Sequence, residues 1–535
     1  MLDFVIQGAL IVDGTGAEPR RQDLGVKDGK IAGIGQNLGE AERVISAEGL
    51  VLCPGFIDMH THMDLELLRD KKPDAKIRQG VTTDLLGQDG LGTAPAHGKN
   101  KKLLMDILSG LNGILPEEKW SWGSFGEYLE ALDGTGLPNN AAVLLSQGPV
   151  RIEAMGMDER PPTKEELDRQ CAIVREAMEE GAYGLSSGLI YPPCPYADEE
   201  ELTELNKEVA RKDGIFVVHQ RDEGYHLRRS FREIRDISKN SGVRLHVSHL
   251  QAYGKVNWPL MDEVLEMADA FLAEGGQVTW DRYPYLAGCT TLTAVLPFWT
   301  FGEGTEALIA NLMEPEFRKR ITDDFTKGLD VWHNRQISVG WENIIVTAVH
   351  LEKNKWMEGL SCQAIADRQR KNPIEAVCDL LAEERLAVTM ISFYGSEDVL
   401  RKVLSHPQAT LGSDGIYGGR PHPRLYGTYP RFLRTYVRER KVFSLPEAIQ
   451  KITSFPAKIL GIPDRGTLVE GNWADLVLFD PKTVTDRATY EEPELYPEGI
   501  SRVFVNGVEV VSPEGTTGAL PGRVLRKGRQ GSLSG

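Results

Sequence analysis

The chain has 535 residues and a formal charge of -17, long enough for one large enzyme domain plus a smaller one, or for two or three ordinary domains. Hydrophobic residues at 41% and charged residues at 26% are the proportions of a soluble globular protein. The acidic excess argues against a nucleic-acid groove or an anionic membrane partner, since both need basic patches.

The first residues, "MLDFVIQGALIVDGTG", carry acids and Gly where a secretory signal would carry a basic end and a long apolar core. No apolar run approaches the ~20 residues that cross a bilayer. Cys53, Cys171, Cys194, Cys289, Cys362 and Cys378 form no CxxC pair, which suits a reducing compartment. A cytoplasmic location is expected.

Residues 1–54 run in short β-like bursts broken by Gly and Asp, and 461–535 have the same texture in "GTLVEGNWADLVLFDP" and "ISRVFVNGVEVVSPEG". Neither piece is long enough for a core of its own. The two are expected to pair into one small β-sandwich.

Between them, residues 55–460 alternate apolar strands with amphipathic helices such as "KEELDRQCAIVREAMEEGA", the texture of parallel βα units in an α/β fold. Eight inner strands are predicted: "GFIDMHTHM", "TTDLLGQ", "AAVLLSQGPVR", "AYGLSSGL", "FVVHQR", "RLHVSHLQ", "QVTWDRYPY" and "ATLGSDG". Eight such strands suggest a closed (β/α)8 TIM-like barrel, with an open doubly wound sheet as the alternative. The interval of about 286–408 is too long for one crossover and predicts an inserted subdomain between strands seven and eight. Its "LPFWTFGEG" would belong to a lid whose Trp and Phe serve as core.

Several strands end in groups that bind metals. His60 and His62, two residues apart in a strand, project from one face and can reach one ion. His219 ends strand five, His249 strand six, Asp89 strand two and Asp414 strand eight. Asp89 in "LLGQDGLG" and Asp414 in "GSDG" also have the neighbours of plain turn residues. With four of the eleven histidines ending apolar strands of one barrel pattern, the joint reading favours a metal site. His246 faces the other way by parity and is assigned to packing or to support of a ligand.

"PGFIDMHTH" after a β-rich start, single histidines on strands five and six, and "GSDG" on strand eight resemble the amidohydrolase superfamily. "QGVTT", "GLSSGLIYPP", "HQRDEG", "SHLQAYG", "DRYPYLAG", "RPHPRLYGTYPRFL" and the closing "GTLVEGNWADLVLFDP" resemble its N-acyl-D-amino-acid deacylases, the D-aminoacylases. The resemblance implies a metal bound by His219, His249 and a thiolate from a "G-x-C-G" element on strand two. That element reads "GQDG" here, so Asp89 stands where the cysteine is expected. Strand four offers no Lys to form the carbamate bridge of other superfamily members.

A carboxylate can bridge two cations and is a harder donor than a thiolate. Asp89 is therefore expected to ligate one ion with His219 and His249 and to bridge to a second held by His60, His62 and Asp414. One or two divalent ions are implied, Zn2+ foremost, with other divalent metals admitted by the change at position 89. A divalent ion lowers the pKa of its water toward ~7, and Asp414 is expected to act as general base, as the family's aspartate does.

For the α-carboxylate of an N-acyl amino acid, the candidates at strand ends are Arg151, Arg221, Arg282, Tyr191 and Tyr283. The resemblance places Tyr191 and Tyr283 near substrate, and puts Gln251 where the family has a Lys. His422 and Arg424, in the loop after Asp414, are further candidates. The expected reaction is metal-dependent hydrolysis of the amide of an N-acyl-D-amino acid or a related N-acyl amine, a small-molecule partner. Hydrolysis of a cyclic or other specialised amide is the alternative, and a non-catalytic binding barrel a third reading. Acyl group, amino acid, handedness, nuclearity and oligomeric state stay open at this level.

Overall fold

A computed structural model describes residues 1–69, 73–109, 111–112, 115–302, 304–327 and 335–528. Eight parallel strands make the central barrel: Phe56–Asp58, Val81–Leu86, Asn140–Val143 continued by Leu145–Ser146, Gly184–Gly188, Ile215–His219, Arg244–Val247, Val278–Arg282 and Ala409–Leu411, here strands one to eight. Strands one to three pair in sequence, as do three to seven, and strand seven pairs with strand eight. The ring closes where Met59 N donates to Leu411 O at 3.4 Å and Asp414 N donates to His60 O at 2.7 Å. A closed barrel brings the C-terminal ends of all eight strands to one mouth.

Helices cover the outside. Lys164–Glu180 is typical: Thr163 and Glu166 form a reciprocal cap at its start, and Gly181 ends it at φ +114°. It buries Gln170, Val174, Ala177 and Met178 on one face, spaced at about four residues as a helix stripe requires. The reading of "AAVLLSQGPVR" as one strand overshoots. The chain leaves strand three at Ser146 and turns into helix Gln147–Met155, because Pro149 removes a ladder donor. Gly148 also allows a close approach that a Cβ, 2.4 Å from Gly90 O, would block.

The two termini build one nine-stranded sheet, in which Val51–Pro54 from the N-terminal part pairs antiparallel with Leu476–Phe479. This sheet folds over on itself, stacking the rings of Phe4 and Phe504 at 4.9 Å. Its other face, with Val477, Phe479, Val503 and Val505, packs on Tyr429, Phe432 and Ile449 beside the barrel. The last described residues leave that sheet. Val524–Leu525 pairs parallel with strand three, and Lys527 N donates to Gly181 O at 3.0 Å.

Between strands seven and eight, Ala287–Thr291, Ile344–Ala348 and Thr389–Phe393 form a separate antiparallel sheet with its own apolar core. Phe298, Trp299 and Phe301 pack against that core. The inserted part ends earlier than position 408: helix Glu397–Ser405 buries Leu400, Val403 and Leu404 and covers strand eight as a barrel crossover helix. No described helix is long and apolar enough to cross a membrane.

Candidate metal centre

The turn after strand two decides the site. Gly87 has φ +74°, and a Cβ there would lie 2.2 Å from Leu144 O, so only Gly lets the chain bend against strand three. Asp89 follows at φ +55°, a left-handed conformation that Asp tolerates better than most residues. The turn itself aims the carboxylate into the barrel mouth, toward the strand-end histidines. Asp414 at φ +50° and His249 at φ +34° adopt the same region, and such backbone strain gathers at functional sites.

Asp89 Oδ2 lies 3.6 Å from His60 Nε2, 3.6 Å from His62 Nε2, 3.8 Å from His219 Nδ1 and 3.8 Å from His249 Nε2. Asp414 Oδ1 is 3.4 Å from His62 Nε2 and 3.8 Å from His60 Nε2. All six groups are buried. Asp89, His219 and His249 make one compact donor group; His60, His62 and Asp89 make another, and His60, His249 and Asp414 a third.

These residues fit a divalent metal. The carboxylate–imidazole separations of 3.4–3.8 Å are those of donors held ~2.1 Å from one ion, whereas His219 Nδ1 and His249 Nε2 sit 2.9 Å apart as a hydrogen-bonded pair. His60 Nε2 and Asp89 Oδ1 are buried with no hydrogen-bond partner among the described residues, an expense that a cation removes. Imidazoles with carboxylates suit zinc and similar ions.

The electrostatics agree. Burial works against charge on His60, yet the Asp89 and Asp281 carboxylates outweigh it and lift its pKa to about 10. Burial likewise pushes Asp89 up, and the surrounding imidazoles, His60 first, hold it well below the carboxylate range. A pocket that draws in this much positive charge is made for a cation.

Other carboxylates hold the imidazoles in place, and the sequence reading passed over them. Asp281, on strand seven, lies 3.6 Å from His60 Nδ1 and 3.2 Å from His246 Nε2, and accepts from His249 N at 3.1 Å. His246 therefore supports the site through Asp281. Glu223 faces His249 Nδ1 at 3.1 Å. Such partners fix imidazole orientation and raise its basicity. The signal available was spacing: Asp281 adjoins Arg282 in strand seven, and Glu223 follows His219 by four residues.

Tyr191, Gln251 and Tyr283 line the metal pocket, a space of about 390 Å3, part of it open solvent. The Tyr191 hydroxyl lies 2.8 Å from Thr290 Oγ1. Gln251 Nε2 donates to Glu223 Oε2 at 2.8 Å, and its carbonyl accepts from Tyr283 and from Tyr394, a residue the sequence reading did not single out. Arg424 is buried beside Asp414, with NH1 2.9 Å from Oδ2 and the guanidinium 4.6 Å from the Tyr283 ring centre.

Four candidates lie elsewhere. Arg151, on a helix rather than a strand end, is fully buried against Glu201 and donates to Arg160 O at 2.6 Å. Arg221 is bound twice over to Glu233 and donates to Pro195 O and Ala197 O. Arg282 sits behind the pocket, 4.0 Å from the Tyr283 ring centre. His422 is wedged edge-on between Tyr285 and Tyr490, and its Nδ1 accepts from Arg424 N at 2.9 Å. Acidic and carbonyl partners reached these long cations before the pocket could. Arg151→Ala should cost about 3–5 kcal/mol by leaving Glu201 charged and buried, while the kcat of the folded fraction is unchanged; thermal melts and active-site titration check this.

The fold and the convergent donors define a metal-dependent hydrolase of carbon–nitrogen bonds other than peptide bonds, and the chain belongs to the amidohydrolase family, whose profile matches residues 43–511. It is 32% identical to a D-aminoacylase of Alcaligenes xylosoxydans xylosoxydans over 527 residues, 98% of each chain. It is 32% identical to an N-acyl-D-aspartate deacylase of the same organism, covering 98% of this chain and 95% of the other. The crystal structure of an N-acyl-D-glutamate deacylase from Bordetella bronchiseptica, complexed with zinc and a phosphonate mimic of the tetrahedral intermediate, superposes with TM-score 0.82 at 32% identity over 98% and 99% of the two chains. A D-aminoacylase structure gives 0.81 at 31% over 98% and 100%.

Proposed function

We propose that the protein hydrolyses the amide bond of N-acyl-D-amino acids with neutral side chains, using a divalent metal held by His60, His62, Asp89, His219, His249 and Asp414. The observation that carries this is the convergence of four imidazoles on one oxygen of Asp89, beside an Asp414 held by Arg424. When bound, the metal polarises an amide carbonyl and makes water acidic enough to lose a proton near neutral pH.

Asp414 handles that proton. Burial would raise its carboxyl, but the Arg424 guanidinium, with His62, holds it at about 2. It is therefore ionised at neutral pH and ready to accept. Arg424 fixes Oδ2, leaving Oδ1 toward the histidines to take the proton from water and deliver it to the departing nitrogen. Arg424, behind Tyr283, adds positive potential for the substrate's α-carboxylate, while the Tyr283 and Tyr394 hydroxyls donate to the Gln251 carbonyl.

The preference for neutral side chains follows from the lining. Glu223 faces the pocket, and among the described residues no lysine or arginine lines it. An acidic side chain would meet like charge with no lysine or arginine in the described lining to offset it. With metal-loaded enzyme, N-acetyl-D-leucine should exceed N-acetyl-D-glutamate in kcat/KM by about tenfold or more, an electrostatic difference near 1.4 kcal/mol, and N-acetyl-L-leucine should be poor. No turnover of any N-acyl-D-amino acid across several metals would sink the reading.

A further inference from the structure

A cavity of about 220 Å3, part of it open solvent, lies against the start of helix Glu397–Ser405, and Leu250, Arg282, Tyr394, Gly395, Ser396 and Val399 belong to its lining. Arg282 brings a positive charge to it. The residue is 3% exposed, its NH2 donates to Tyr285 O at 3.2 Å and to the Tyr394 hydroxyl at 3.4 Å, and its guanidinium lies 4.0 Å from the Tyr283 ring centre. Rings and neutral oxygens thus take its face and one edge. NH1 is buried without a hydrogen-bond partner, and among the described residues no carboxylate forms an ion pair with Arg282. A guanidinium keeps its charge at any ordinary pH, and burying such a charge without a counter-charge is costly.

The helix supplies the complementary half. Ser396 stands at its N-cap in extended conformation, and the hydroxyl makes no capping bond. The first N–H groups of a helix have no partner within it, and such an end carries partial positive charge that favours small anions. The acids of the first turn are drawn elsewhere. Glu397 goes to Arg440 and to the Tyr436 hydroxyl, Asp398 goes to Arg401, and neither residue lines the cavity.

We infer that this cavity is a binding site for a monovalent anion of halide size, held by Arg282, the Ser396 hydroxyl and the first turn of the helix. The anion neutralises a charge buried behind the metal pocket and caps the helix that covers strand eight. Tyr394 also lines the metal pocket and gives its hydroxyl to the Gln251 carbonyl, so steadying Arg282 steadies that wall as well.

Crystals of the metal-loaded enzyme soaked in bromide should show a bromide anomalous peak between Arg282 and Ser396, apart from the metal. Replacing gluconate by chloride at constant ionic strength should raise the melting temperature of the metal-loaded enzyme by about 2 °C or more. Arg282→Gln should lose most of that rise, and Val399→Trp, which fills the cavity, serves if the first variant does not fold. Bromide found only at the metal or on the outer surface overturns the inference. So does a peak beside Arg282 with no melting shift, which marks an adventitious ion only. A shift of equal size in the parent and in either variant overturns it too, since the anion then acts elsewhere.

Discussion

Asp414→Asn is expected to lower kcat about a thousandfold or more, while the far-ultraviolet circular dichroism keeps its native shape. The amide cannot accept the water's proton, and its geometry otherwise matches the carboxyl. Metal should remain, since Asp89, His219 and His249 form a donor group without Asp414. Arg424 loses its ion-pair partner, but its bond to Cys289 O at 2.9 Å and its place against the Tyr283 ring keep it fixed. The informative measurement is kcat beside metal content by elemental analysis. Turnover within a few fold of the parent would remove Asp414 as the base.

Asp89→Ala is expected to weaken metal binding by more than about 100-fold, since changing only the groups behind a ligand already costs 10–100-fold, and to abolish turnover with it. One oxygen faces four imidazoles within 3.8 Å, and no other described carboxylate occupies that position. Asp89→Cys is the companion variant. A thiolate at the same bend should hold metal but shift the preference toward softer ions, read as a change in the order of zinc, cobalt and manganese affinities. Full metal content and activity in Asp89→Ala would show that the carboxylate is only a turn residue.

Much of the architecture was legible because period and punctuation are local. Apolar runs bounded by Gly and Asp located all eight barrel strands, and the error at "AAVLLSQGPVR" lies at a boundary, where Gly148 and Pro149 start a helix. The end of the insertion was misjudged for a related reason. Helix Glu397–Ser405 has the same amphipathic texture whether it belongs to the insertion or covers strand eight, and only its contacts separate the two.

The convergence of His60, His62, Asp89, His219, His249 and Asp414 could be read from the chain because a barrel carries every strand end to one mouth. Identity and position along a strand then suffice to nominate a ligand, whatever the distance in sequence. Asp281 and Glu223 were missed because a carboxylate behind a histidine has no period of its own.

The arginines show the opposite case. Arg151, Arg221 and Arg282 looked as suitable for a carboxylate as Arg424, yet their ends are taken by Glu201, by Glu233 and by the tyrosine cluster. A long, mobile cation goes to whichever anion or ring the folded loops bring within reach, and those partners come from other segments of the chain.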